Sequence, residues 1–144
     1  MWSRTRDEQD NREQNPKRET CPRVLVMSPD SGYRDQWRRL SGELDWYLEC
    51  HPSLDAAIDV QRVRSFHIVV CDCAVDSDEW RVALSEFCIG ADIPCVVLTS
   101  SLIDDGFRDE VIRHRGYDVL RRNADDDEVI RAVNSAWLWK NHNV

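Results

Sequence analysis

The chain has 144 residues, which is enough for one domain with a hydrophobic core and too few for two domains of ordinary size. Its net charge of −8 argues against a general binder of nucleic acid or of anionic membranes, because attraction to phosphate requires clustered Lys and Arg. No apolar run approaches the length of a membrane span and the amino terminus is polar, so we expect a cytoplasmic protein without a membrane segment.

The six cysteines are predicted to be free thiols. Cys71, Cys88 and Cys95 lie in or beside apolar segments, where free Cys packs as a small hydrophobe. Cys71 and Cys73 have the spacing of half a metal site, but no second Cys/His pair with zinc spacing lies nearby. A zinc-thiolate site is therefore not expected.

The chain divides into a charged amino-terminal segment, a domain and a short end. Residues 1–22 are rich in Arg, Glu, Gln and Asn, and they bury too little apolar surface to offset the entropy of ordering, so a disordered tail is predicted. Residues 23–140 carry the periodic apolar pattern of one domain, and residues 141–144 are predicted to be a carboxyl-terminal tail.

The domain is predicted to open with a strand, a turn and a helix. Arg23–Met27 is an apolar strand, and Pro29 and Gly32 mark the turn that follows it. Gly42 is expected to weaken the end of the helix. The apolar residues on one face of this helix are Tyr33, Trp37, Leu40 and Leu44.

The middle of the domain is predicted to contain two further strands and two helices. Residues 46–50 form the second strand, and Ser53 caps a short helix after it. Residues 66–72 form the third strand, whose centre has no polar break and whose last residue is Asp72. The following helix ends at Gly90. Its inward residues are Trp80, Leu84 and Phe87.

The last third repeats the alternation. Strands are predicted at residues 93–99 and 117–121, with a helix at 105–114 between them. Asp125 and Glu128 resemble a capping box for the final helix. The inward residues of that helix are Val129, Ile130, Val133, Ala136 and Trp137. Trp137 is expected to be buried, and an exposed Trp here would mark a dimer or partner surface.

Five strands alternating with five helices predict an α/β fold with a parallel sheet covered on both faces. For five such units the flavodoxin-like order 2-1-3-4-5 is the natural choice, and chemotaxis receivers are a known example of that order. The carboxyl ends of strands one, three, four and five would then surround a single cleft, where ligands of open α/β sheets collect.

Polar residues stand at those strand ends. A carboxylate such as Asp72 can attack phosphorus and form an acyl phosphate. A hydroxyl such as Thr99 and a cation such as Arg122 would stabilise the phosphoryl oxygens. The complete set is Ser28-Pro29-Asp30, Asp72, Thr99-Ser100 and Arg121-Arg122.

Over residues 23–139 the chain resembles the receiver domain of two-component response regulators. Asp72, in Val-Val-Cys-Asp, matches the phosphoryl acceptor of that family, and Thr99, in Val-Leu-Thr-Ser, matches its hydroxyl. Arg122 stands at the position of the family's Lys, and Asn123 at that of its Pro. The resemblance implies a phosphorelay protein that receives a phosphoryl group from a histidine kinase or phosphotransfer protein.

The chain also departs from the receiver pattern. Ser28 and Pro29 replace the two acids that hold Mg²⁺, so Mg²⁺ binding is doubtful, with Asp72 and weakly Asp30 as its candidate ligands. Arg for Lys at position 122 keeps the charge but changes the geometry. Two further differences are Asp76, where many receivers have Pro, and Val119, where a switching aromatic often sits.

The leading hypothesis is a single-domain receiver that accepts a phosphoryl group on Asp72 and signals through contact with a downstream protein. The alternative is a degenerate receiver that acts as a phosphorylation-independent interaction module, and the loss of the acidic pair favours it. A phosphatase of the haloacid dehalogenase type is a remote third, because Ala74 stands where that family needs a second acid. We therefore do not expect an enzyme, and we do not expect direct binding of nucleic acid.

Overall fold

The computed structural model describes residues 21–74, 76–90 and 92–142. The predicted disorder of residues 1–20 and the last two residues lie outside that range. Within it, no helix is both long enough and apolar enough to cross a membrane.

Five strands and five helices alternate along the part of the chain that the structure describes. The strands are β1 (Arg23–Met27), β2 (Tyr47–His51), β3 (Ile68–Asp72), β4 (Cys95–Ser100) and β5 (Asp118–Arg121). The helices are α1 (Ser31–Leu44), α2 (Leu54–Val63), α3 (Glu79–Phe87), α4 (Asp105–Arg113) and α5 (Asp126–His142). The helix α5 thus extends two residues into the segment predicted to be a tail.

All strand pairs are parallel and the sheet order is β2-β1-β3-β4-β5, which confirms the predicted flavodoxin-like fold. The middle strand β3 is buried along its whole length, as its unbroken apolar sequence predicts. The sheet therefore places the end of β3, Asp72, at the centre of its carboxyl edge.

The two faces of the sheet carry separate hydrophobic clusters. One cluster packs α1 and α5 on the sheet, and the other packs α2, α3 and α4 on the opposite face. Successive strand residues point to opposite faces, so each strand contributes alternately to the two clusters. This alternation decides which polar residues at the strand ends can meet.

Side-chain caps fix where several helices begin. The Ser53 hydroxyl accepts a hydrogen bond from the Ala56 N–H at 3.3 Å, as predicted. The capping box is also present, because Glu128 N donates to Asp125 Oδ1 at 2.9 Å and Asp125 N to Glu128 Oε1 at 3.4 Å. Asp104 caps α4 by accepting from the Phe107 N–H at 2.8 Å.

Three expectations differ in detail. Leu44 is 40% exposed rather than inward; it is the last residue of α1, which ends at Asp45 in the left-handed conformation (φ 60°). Trp46 precedes β2 instead of starting it. Trp137 is half-buried against the α1/α5 cluster, while Trp139 is 51% exposed.

Gly116, which follows the end of α4, has no room for a side chain. A Cβ there would lie 2.4 Å from Val111 Cγ1 and 3.1 Å from the Val111 carbonyl oxygen. Its neighbour Arg115 adopts the positive φ of 78° at this turn. Gly116 therefore lets the chain pass close to α4 before β5 starts.

Candidate functional site

The candidate site lies on the α1/α5 face at the carboxyl edge of the sheet. On β3, Ile68 and Val70 belong to the α1/α5 cluster, so Asp72 has the same parity and points to that face. In the β3–β4 pairing Asp72 lies opposite Thr99, whose side chain points to the same face of the sheet. Ser28 directly follows β1 and Arg122 directly follows β5. By the same alternation, both side chains point to the α1/α5 face.

Asp72 is held by a hydroxyl and a guanidinium. Ser28 Oγ donates a hydrogen bond to Asp72 Oδ2 at 2.6 Å, and Arg122 Nε lies 3.0 Å from the same oxygen. The Arg122 contact has the distance of an ion pair, but its N–H is not aligned for a hydrogen bond. The Asp72 side chain is only 8% exposed, and no hydrogen bond from the described residues reaches its second oxygen, Oδ1.

Asp30 joins this group from the turn between β1 and α1. Its Oδ1 caps α1 by accepting from the Gly32 N–H at 2.8 Å and the Tyr33 N–H at 3.3 Å. Its Oδ2 pairs with Arg122 Nη2. The two backbone hydrogen bonds, and then the positive charge of Arg122, lower the pKa of Asp30. One guanidinium therefore bridges two carboxylates, Asp30 and Asp72.

Ser28 forms hydrogen bonds with both the turn after β1 and Asp72. Its hydroxyl accepts a hydrogen bond from the Asp30 N–H at 3.1 Å while it donates to Asp72. Its carbonyl oxygen accepts from Arg34 Nη1 at 2.6 Å. The completely buried Ser28 thus links β1, the start of α1 and the end of β3.

Besides Arg122 Nε, three buried polar groups on the α1/α5 side of the sheet lack hydrogen-bond partners among the described residues. They are the hydroxyl of Thr99, the hydroxyl of Tyr33 and the indole nitrogen of Trp37. Tyr33 and Trp37 lie one turn apart on α1 with ring centroids 6.3 Å apart, and Arg122 Cζ lies 5.6 Å from the Tyr33 ring centroid. Burial is the main cause that raises the pKa of Tyr33.

A cleft of about 430 Å³ opens beside these groups. It is lined by Asp30, Gly32, Tyr33, Gln36, Ser101, Arg122 and Asn123. The exposed side of Arg122 therefore faces solvent through this cleft, and its other side contacts the Asp72 carboxylate.

Two predicted strand-end residues do not join the site. Ser100 and Arg121 pair with each other in the β4–β5 register. By strand alternation, both side chains point to the α2/α3/α4 face. The Ser100 hydroxyl accepts from the Leu102 N–H at 3.4 Å. Val119 also faces that side, where it packs in the α2/α3/α4 cluster.

Comparison with known proteins yields matches among solved structures. No protein-family model and no curated protein matches the sequence. A receiver domain of an HD domain-containing protein from Pseudomonas fluorescens has a TM-score of 0.74 at 16% identity, covering 86% of this chain and 92% of its own. A response regulator receiver protein from Burkholderia phymatum has a TM-score of 0.68 at 21% identity, covering 80% and 94%. The chemotaxis response regulator CheY4 of Vibrio cholerae has a TM-score of 0.72 at 9% identity, covering 81% and 99%.

This chain has the receiver fold. The structural matches confirm the resemblance that the strand-end residues indicated, and at these identities they establish the fold alone.

The receiver fold implies Mg²⁺ beside the carboxylate at the end of β3, but the residues of this chain do not fit that ion. Mg²⁺ needs hard oxygen ligands in octahedral geometry. Pro29 has no ligand atom in its side chain, and Arg122 pairs with both candidate carboxylates, Asp72 and Asp30. Across residues 21–74, 76–90 and 92–142, no group of three or more His, Cys, Asp or Glu is placed to hold a metal ion.

Sequence reasoning found some of the site and missed the rest. Asp72, Thr99 and Arg122 come together at one edge, with Asp30 beside them. The sequence places Ser28 among the polar residues at the strand ends and at the position of a lost acid, but it does not indicate the hydrogen bond from Ser28 Oγ to Asp72. Tyr33 was assigned to the helix core because periodicity indicates burial without showing whether a hydroxyl finds a partner.

Proposed function

We propose that this chain is a receiver-type signalling module in which Asp72 accepts a phosphoryl group from a histidine kinase or a phosphotransfer protein. The observation that carries the proposal is the convergence of one carboxylate, one hydroxyl and one guanidinium, those of Asp72, Thr99 and Arg122, on one face at the end of the central strand. A cytoplasmic location and signalling by contact with a second protein go with this proposal.

The proposed chemistry begins at Asp72 Oδ1, the carboxylate oxygen that accepts no hydrogen bond from the described residues. It attacks phosphorus in line with the leaving nitrogen of a phosphohistidine. A P–O bond forms and the P–N bond breaks, and the imidazole nitrogen keeps the electron pair and takes a proton from solvent. The product is an aspartyl phosphate, and Asp72 acts as a nucleophile with no redox change.

Arg122 is the cation available to neutralise charge in this step. Phosphoryl transfer depends on stabilising the equatorial oxygens, and a guanidinium binds phosphate through two parallel N–H groups. Arg122 already lies against Asp72 and opens into the cleft on its other side. A phosphoryl group would compete with Asp30 for the guanidinium and so loosen the turn between β1 and α1.

A second candidate is a phosphorylation-independent interaction module. The bridge from Arg122 to both Asp30 and Asp72 favours it, because the bridge neutralises the acceptor without a ligand. Under this candidate, Asp72 is a structural partner of Arg122 and Ser28, and a fixed surface of the domain binds the partner protein.

Incubation with acetyl phosphate followed by intact mass distinguishes the two candidates. The first predicts one phosphoryl adduct in the wild type and none in Asp72→Asn. Asp76→Asn is the matched control, because Asp76 is an exposed acid in the loop after β3 and should keep the adduct. A wild-type protein without adduct, with normal folding by circular dichroism, would favour the second candidate.

A further inference from the structure

The strongest unexplained feature of the molecule is a row of buried polar groups with no described partner. Trp37, Tyr33 and Thr99 are 1%, 6% and 0% exposed, and the polar atom of each side chain lacks a hydrogen bond in the described structure. A buried polar group without a partner costs about 1–3 kcal/mol in stability. Three of them on the side of the sheet to which Asp72 points call for an explanation.

The three groups are neighbours on one face of the sheet. Thr99 points to the α1/α5 side by strand alternation, and α1 places Tyr33 and Trp37 on that same side. Burial raises the pKa of Tyr33, and the Thr99 hydroxyl and the Trp37 indole act on it in the opposite direction as hydrogen-bonding groups. Both groups therefore lie beside the phenol oxygen, although the hydrogen bonds themselves are not well formed.

The three buried groups, Trp37, Tyr33 and Thr99, lack one hydrogen-bond acceptor. The Trp37 indole is a donor only, whereas the hydroxyls of Tyr33 and Thr99 can each donate one hydrogen bond and accept others. A chain running from Trp37 N–H to Tyr33 oxygen, and from Tyr33 O–H to Thr99 oxygen, leaves one donor unused, the Thr99 O–H. An acceptor oxygen next to Thr99 would complete the chain, and hydrogen bonds in such a chain strengthen one another.

We propose that Tyr33 is a positioning residue of the acceptor site, which aims the Thr99 hydroxyl at a phosphoryl oxygen on Asp72 and transmits that state to α1 through Trp37. This inference rests on the proposed function, because Asp72 must carry the phosphoryl group. The phosphoryl oxygens are the missing acceptors, and closing the chain would pull Tyr33 and Trp37 into fixed positions. The signal then leaves through α1.

On the opposite face, the described residues include one buried polar group without a hydrogen-bond partner, the indole nitrogen of Trp80, in the cluster of α2, α3 and α4. Val119 has no polar atom in its side chain, and it packs in the cluster of α2, α3 and α4. By contrast, α1 is tied to the start of α5, because Gln36 Nε2 donates to the Ala124 carbonyl at 3.3 Å and Arg39 pairs with Asp126 at 3.0 Å. A shift of α1 would therefore reach α5 as well.

Tyr33→Phe tests the proposal because it removes only the hydroxyl. Tyr117→Phe is the matched control, since it removes a hydroxyl that is hydrogen-bonded to Ser135 Oγ at 2.6 Å and has no contact with Asp72. The proteins are treated with acetyl phosphate, and adduct yield by intact mass is measured together with tryptophan fluorescence. Trp37→Phe identifies the part of the fluorescence change that comes from Trp37.

We expect wild type and Tyr117→Phe to form the adduct with a fluorescence change that is lost in Trp37→Phe. In Tyr33→Phe we expect a steady-state adduct about tenfold lower, consistent with the loss of a charge-assisted hydrogen-bond chain. Thr99→Ser should retain the adduct and Thr99→Val should lose it. Because the Tyr33 hydroxyl lacks a partner before phosphorylation, Tyr33→Phe should unfold at the same urea concentration as wild type or at a higher one.

Equal adduct and equal fluorescence change in Tyr33→Phe and Tyr117→Phe would overturn the role of Tyr33 and leave the proposed function standing. Absence of adduct in the wild type would overturn the proposed function, and the inference would fall with it. Failure of the inference would thus appear in Tyr33→Phe, whereas failure of the proposed function would appear in the wild type.

Discussion

Arg122 Nε lies 3.0 Å from Asp72 Oδ2, where it supplies a positive charge to the carboxylate at the centre of the sheet edge. The same guanidinium reaches Asp30 at the start of α1. It therefore joins the ends of β3 and β5 to the turn after β1. In this chain the guanidinium of Arg122 provides the positive charge beside the Asp72 carboxylate.

Arg122→Gln should lower the free energy of unfolding by about 2 kcal/mol, because it leaves the buried Asp72 without its counterion. Urea unfolding followed by circular dichroism measures the change. Arg122→Lys should lose less, since an ammonium keeps the charge but does not reach both carboxylates in a fork. An unchanged midpoint for Arg122→Gln would show that the ion pair contributes nothing to stability.

Ser28→Ala should lower the free energy of unfolding by about 1.5–3 kcal/mol, the usual range for a buried hydrogen bond to a charged group. The variant also removes the acceptor of the Asp30 N–H. Ser101→Ala, at an exposed position after β4, is the control and should be neutral. Equal unfolding midpoints for the two variants would contradict the structural role of Ser28.

Ser28→Asp should create a binding site for divalent cations that the wild type lacks. The new carboxylate would lie against Asp72, and two close carboxylates repel each other unless a cation joins them. We expect Mg²⁺ to raise the thermal midpoint of Ser28→Asp and to leave that of the wild type unchanged. A wild-type midpoint that rises with Mg²⁺ would mean that the Arg122 bridge opens readily to the metal.

Stability should fall as the pH drops from about 6.5 to about 4, through the protonation of His67. Burial lowers the pKa of His67 from 6.5 to about 4, with the charges of Arg23 and Lys140 adding to the effect and Asp92 opposing it. The unfolded chain therefore binds the proton first, so this contribution is fully present above pH 6.5 and is lost progressively below it. The neutral ring also accepts the Arg23 N–H at Nδ1, 3.0 Å away.

His67→Asn is the variant that isolates this effect, because it keeps an acceptor for the Arg23 N–H and cannot be protonated. Thermal melts at pH 7.5 and pH 5 should show a larger loss in the wild type than in His67→Asn. The same loss in both proteins would assign the pH dependence to other groups.

The sequence predicts most of the fold because the fold depends on apolar periodicity, which is visible in one chain. The unbroken apolar run at β3 marks a strand buried on both faces, and strict alternation with helices leads to the observed sheet order. The ends of helices are harder to predict: Leu44, the last residue of α1, is exposed although it is apolar and has the helical spacing of the buried residues.

The site is predictable only in part. Strand ends indicate where Asp72 and Thr99 meet, because parallel strands share one carboxyl edge. The bridge made by Arg122 depends on the direction of a long side chain, and the unpaired hydroxyl of Tyr33 depends on the packing around it. Neither leaves a pattern in the sequence.

Intact mass after treatment with acetyl phosphate, once in Mg²⁺ and once in EDTA, tests most directly whether Asp72 is an acceptor served by Arg122. We predict one phosphoryl adduct in both conditions for the wild type, none for Asp72→Asn, and a large loss for Arg122→Gln. An adduct that survives in Asp72→Asn, or a folded wild type that forms none in either condition, would contradict the account.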